Sequence, residues 1–69
     1  MKINYNPELD VLCFRLSDGV QERDEVEPGM IVSYDPNDYL VSIEILAAST
    51  LQPAQVAKKL LAVTPEKFR

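Results

Sequence analysis

Histidine is absent from this chain, cysteine occurs once and glycine twice. Without an imidazole there is no Ser-His or Cys-His nucleophile, and Cys13 has no partner for a tetrahedral zinc site. The lysines form no Ser-Lys signature, and a lone cysteine excludes an intramolecular disulfide. Gly19 and Gly29 fall in separate turns, so no glycine-rich loop cradles a phosphate. Basic residues are also scarce. Seven Lys and Arg against eleven Asp and Glu leave a net charge of −4, the wrong sign for displacing counterions from a phosphate backbone, and direct nucleic-acid binding is not expected. No stretch approaches the roughly 20 apolar residues that span a bilayer. The opening MKINYNPELD has no apolar signal segment, so a cytoplasmic protein without membrane contact is expected.

What is present reads as one small domain over residues 1–69. A chain of this length buries only about 60% of the surface its unfolded state exposes, and its core supplies roughly 3–5 kcal/mol. With disulfide and zinc excluded, burial against another subunit is the remaining remedy. A homo-oligomer is expected, a dimer first.

Apolar alternation places the strands. Ile3 and Tyr5 alternate with Lys2 and Asn4, and Asn6-Pro7-Glu8 makes a turn. In the DVLCFRL segment, Leu12, Phe14 and Leu16 point one way and Val11, Cys13 and Arg15 the other. Apolar groups on both faces predict a strand covered on both sides, the second cover coming from another molecule. Ser17-Asp18-Gly19 turns the chain into Val20 to Val26, polar enough to be an edge strand or an extended loop, whose charges suit an exposed edge. Pro28-Gly29 leads into a strand from Met30 to Tyr34. After the Asp35-Pro36-Asn37-Asp38 turn, YLVSIEIL sets Tyr39, Val41, Ile43 and Ile45 on one face.

Beyond Ala47-Ala48-Ser49 the period changes to about 3.6. An amphipathic helix is predicted over 50–63, capped by Thr50, with Pro53 in its first turn. Its buried side should carry Val56, Ala57, Leu60, Leu61 and Val63, with Lys58 and Lys59 facing away. Thr64-Pro65 ends it, leaving 64–69 as a tail. The fold class is therefore α+β. An antiparallel meander of four to five strands over 1–47, with sequential strands paired across short turns, precedes one C-terminal amphipathic helix.

Three segments, YNPELDVLCFRLSDG from Tyr5 to Gly19, EPGMIVSYD from Glu27 to Asp35 and LVSIEILAAS from Leu40 to Ser49, together resemble the prokaryotic family termed domain of unknown function 2283. The resemblance covers about the first 50 residues and leaves out the helix. It implies a compact strand-rich domain and supplies no catalytic residue. Cys13 stands where the family pattern more often shows an aromatic residue, and Ala47 where it often shows an acidic one.

No catalytic, cofactor or metal site is legible. Asp18, Glu22, Asp24, Glu25 and Glu27 lack the ligand spacing of a calcium loop, and a reactive thiol needs a cation, helix N-terminus or metal, whereas the neighbours of Cys13 are Leu12 and Phe14 in a strand, so a buried core thiol is expected. Glu44, between Ile43 and Ile45, is expected at an exposed strand position, or paired across strands with Arg15. The function that fits best is a non-catalytic, self-associating interaction module. Its apolar sheet face would join a second copy, and its acidic edge, Glu22, Asp24, Glu25 and Glu27, would meet a basic protein, including the case of a toxin that it neutralises. The alternative is a small-molecule-binding or catalytic protein with its site at a subunit interface, lined by Tyr5, Tyr34, Tyr39 and Glu44.

Overall fold

A computed structural model describes residues 1–63. They form strands β1 (Lys2–Asn6), β2 (Val11–Arg15), β3 (Arg23–Glu27), β4 (Met30–Tyr34) and β5 (Leu40–Leu46), a 3-10 turn at Ala48–Thr50, and helix α1 (Pro53–Leu61). All neighbouring strands are antiparallel, in the order β1-β2-β5-β4-β3, so the fold is the expected α+β arrangement of one sheet followed by one helix.

Sequential pairing needs one correction. It holds within β1–β2 and within β3–β4–β5, but β2 pairs with β5 and residues 16–22 carry the chain across the sheet end to the far edge. The amide N–H groups of Leu16 and Ser17 donate to the Val41 carbonyl at 2.8 and 3.3 Å, and Glu22 N–H donates to the Tyr34 carbonyl at 2.8 Å. Gly19 passes so close over Val41 that a Cβ there would lie 3.4 Å from Val41 Cγ2. The physical reason lies in composition. Strand β2, apolar on both faces, does best with a neighbour on each side, and the charged RDEVE strand is suited only to an edge.

The YLVSIEIL alternation also breaks. Ser33 pairs with Ser42 while Tyr34 pairs with Leu40, so β5 carries one extra residue, a bulge at Val41. The extra residue shifts the alternation. Leu40 enters the core with Ile43 and Ile45, and Tyr39, predicted to share their face, is 47% exposed. The Asp35 side chain shapes the turn before it, its Oδ1 accepting from Asn37 N–H at 2.8 Å and Tyr39 N–H at 2.9 Å.

The core lies on one sheet face, where Met30, Val32, Tyr34, Leu40, Ile43 and Ile45 are buried and Leu12, Phe14, Leu51, Leu60 and Val63 close over them. Helix α1 thus packs on the sheet of its own chain. It begins later than predicted. Gln52, not Thr50, is the N-cap, in a reciprocal capping box with Gln55, and Pro53 follows it. Thr50 instead closes the 3-10 turn, its hydroxyl donating to the Ala47 carbonyl at 2.7 Å. The buried stripe is narrower than expected: Leu61 is 80% exposed, and Lys59, predicted to face away, reaches back to donate to the Pro28 carbonyl at 3.2 Å. No residue of α1 is fully buried. The predicted stop at Thr64-Pro65 and the tail 64–69 lie outside the described residues.

Candidate functional site

The two edges of the sheet differ in chemistry. At one edge β3 carries four charged side chains in five residues, Arg23, Asp24, Glu25 and Glu27. Pleating divides them. Glu25 and Glu27 pair across to Val32 and Met30, on the core side, whereas Asp24 pairs with Ser33 on the opposite face.

Arg23 organises this edge. Its guanidinium meets Asp38 at 2.9 Å and Glu25 at 3.1 Å, and its Cζ lies 4.3 Å from the centroid of the Tyr34 ring. These are the two ion pairs among the described residues. Asp24 accepts from the Ser33 hydroxyl at 2.8 Å and from Gln21 at 3.0 Å, and Glu25 accepts from the Tyr34 hydroxyl at 3.3 Å. Asp24 and Glu25, two of the four acidic residues expected as one partner-binding group, are therefore built into a lattice of charged and polar side chains. Arg23 is the member that the sequence reading passed over; its signal was a cation inside the acidic run QERDEVE.

The four residues expected around an interface pocket do not converge. Tyr34 is 2% exposed in the core, Tyr39 sits in the turn before β5, Tyr5 lies on the opposite edge strand, and Glu44 is on the other sheet face. On that second face one row runs Asn4, Cys13, Glu44, Ile31, Val26 from edge to edge. Glu44 is partly exposed and faces Cys13 across the strands; Arg15 instead donates from Nη2 to the Gly19 carbonyl at 3.2 Å. Cys13, expected to be buried, is only partly so. Desolvation, reinforced by the Glu44 charge, holds its thiol above the ordinary range, so it remains a poor nucleophile.

At the other edge β1 carries a single charge, Lys2. Ile3 and Tyr5 share the core side with Phe14 and Leu12, but as edge residues they remain 61% and 45% exposed. A polar clasp fastens the turn after β1. Asp10, in the left-handed region at φ 54°, accepts from the Tyr5 hydroxyl at 2.7 Å, from Ser49 N–H at 2.9 Å and from the Ser49 hydroxyl at 2.6 Å. The Ser49 hydroxyl, then that of Tyr5, lowers the pKa of the Asp10 carboxyl, and the Tyr5 phenol is raised in return by its bond to Asp10. Nothing in residue spacing marked this clasp, because Ser49 lies 39 residues from Asp10.

A cleft of about 330 Å³ opens between the β3–β4 hairpin and the end of α1, lined by Glu25, Glu27, Met30, Val32, Lys59 and Val63 among others. Of the expected pocket residues only Tyr34 borders it. Among the described residues no three Cys, Asp or Glu side chains gather as a metal site, and no helix is long and apolar enough to cross a membrane.

Comparison with known proteins places this geometry in a group. A family model described as "Protein of unknown function (DUF2283)" matches residues 2–49, which span all five strands, the clasp and most of the 3-10 turn and leave out α1. No curated protein and no solved structure matches the chain.

Proposed function

The chain belongs to the DUF2283 family of proteins of unknown function, and from that premise we propose that it is a non-catalytic cytoplasmic interaction module. It self-associates as a homodimer, and it meets a basic protein, including the case of a toxin it neutralises, through its charged edge. The observation that carries this reading is the contrast between the sheet edges. One is studded with charge and held by Arg23, and the other is nearly neutral and flanked by the exposed apolar side chains of Ile3 and Tyr5. Natural sheets protect edges with charge, so an edge without it is suited to a partner. The small core and the loosely seated helix give the same sequence a reason to gain stability by association.

The net charge of −4 directs the second contact toward a cationic surface, which long-range attraction would bring to the β3 edge. Sedimentation equilibrium on the purified chain at tens of micromolar tests the first part: a dimer is expected, and a monomer at every concentration would overturn it. The alternative is a small-molecule site at a subunit interface; within one chain Tyr5, Tyr34, Tyr39 and Glu44 line no common pocket, so such a site would have to draw them from different copies.

A further inference from the structure

We propose that strand β1 is the dimer contact and that it pairs with β1 of a second copy, antiparallel and centred on Asn4. Two five-stranded sheets then become one continuous sheet with both helices on the same face. This rests on the self-association reading and gives it an interface and a register.

Among the described residues β1 has a neighbour on one side only, so the backbone N–H and C=O groups directed away from β2 have no strand to receive them. Its five residues KINYN include one charge and two strong strand formers, Ile3 and Tyr5. In an antiparallel two-fold pair, facing side chains lie on the same side of the sheet. Centring on Asn4 sets Lys2 against the second copy's Asn6, Ile3 against its Tyr5 and Asn4 against its Asn4. All five residues are paired and no like charges meet. The exposed β-branched and aromatic side chains of this edge, Ile3 and Tyr5, cover one another. Neighbouring registers do worse. Centring on Ile3 leaves Asn6 outside the ladder, and centring on Tyr5 sets Ile3 against Pro7, which has no N–H to donate.

Charge agrees with this arrangement. Asp24, Glu25 and Glu27 sit on the opposite edge of each sheet, so pairing through β1 carries the acidic strands to the two outer ends. Lys2 of each copy comes to the end of the other strand, beside the turn that bears Glu8 and Asp10.

Site-directed cross-linking tests the register. Cys13 must first be removed, because Asn4 faces Cys13 within one chain and a thiol at position 4 would be oxidised internally. In the Cys13→Ser background, Asn4→Cys should give a disulfide-linked dimer under mild oxidation, since facing residues of an antiparallel pair lie about 4.5–5.5 Å apart between Cα atoms, within the span of a disulfide. The same background carrying Glu27→Cys should not. Ile3→Lys, at a site already exposed, should keep the far-ultraviolet spectrum of the fold and weaken dimerisation by about tenfold or more. A dimer that fails to cross-link through Asn4→Cys and is indifferent to Ile3→Lys would overturn the β1 contact and leave self-association standing. A wild-type chain that sediments as a monomer would overturn both.

Discussion

At the scale of single residues, three backbone positions outside glycine adopt positive φ among the described residues: Asp10, Asp38 and Ala47. Two are aspartates, whose short polar side chains tolerate this region; the third is an alanine at φ 52°. Ala47→Gly should raise stability by up to about 1 kcal/mol, seen as a rise of a few degrees in Tm. Asp10 and Tyr5 give a pH signature. A carboxyl whose pKa is depressed by folding stabilises the fold above its unfolded value, about 4, and loses that contribution as pH falls through the lower folded value. A phenol whose pKa is raised contributes below about 10 and loses its contribution as pH rises through the higher folded value. The Tm difference between wild type and Tyr5→Phe should therefore be widest between these limits and shrink on both sides, as thermal melts across pH would show. A difference unchanged above the tyrosine range would contradict the hydrogen-bonded clasp.

At the scale of elements, four strands and one helix were legible because their cues are local: period-two alternation, Pro-Gly and Asx turns, and the change of period after Ala47; the charged fifth strand, β3, lacks apolar alternation and read equally as an edge strand or an extended loop. What was not legible depended on distant partners. The β2–β5 pairing joins residues about thirty positions apart, for example Cys13 and Glu44, and no turn signal announces it. The bulge at Val41 exists because β5 must match β4, so the face of Tyr39 could not be read from β5 alone. The helix start was misplaced because Thr50 and Gln52 both precede Pro53, and the reciprocal bond with Gln55 favoured the second. Of the candidate site, the charged edge was visible as composition; its division between two faces and its organisation by Arg23 were not. Element packing also ranks mutations. Ile45, at 0% exposure in the central strand, should cost about 2–5 kcal/mol when cut to alanine, comparable with the whole stability of a chain this size, and should leave it largely unfolded in water. Leu61→Ser, on the exposed side of α1, should change stability by no more than about 0.5 kcal/mol in urea titration.

At the scale of the whole molecule, two copies bearing −4 each repel one another, and the proposed contact joins them where charge is lowest. Added salt should therefore tighten the dimer by screening that repulsion, while weakening capture of a cationic partner by the β3 edge. Titrating sodium chloride against both equilibria would show the opposed slopes, and a dimer that loosens as salt rises would indicate a contact held by ion pairs instead.

The inequality of the two edges also sets how far assembly can go. A sheet with two receptive edges is a bifunctional monomer and polymerises into fibrils. Here the crossover of residues 16–22 delivers the charged strand to one border, so under the proposed β1 contact only the other border is receptive and each copy would have a valence of one for its own kind. Joining two copies consumes the supply of open ends, and growth terminates at its first step.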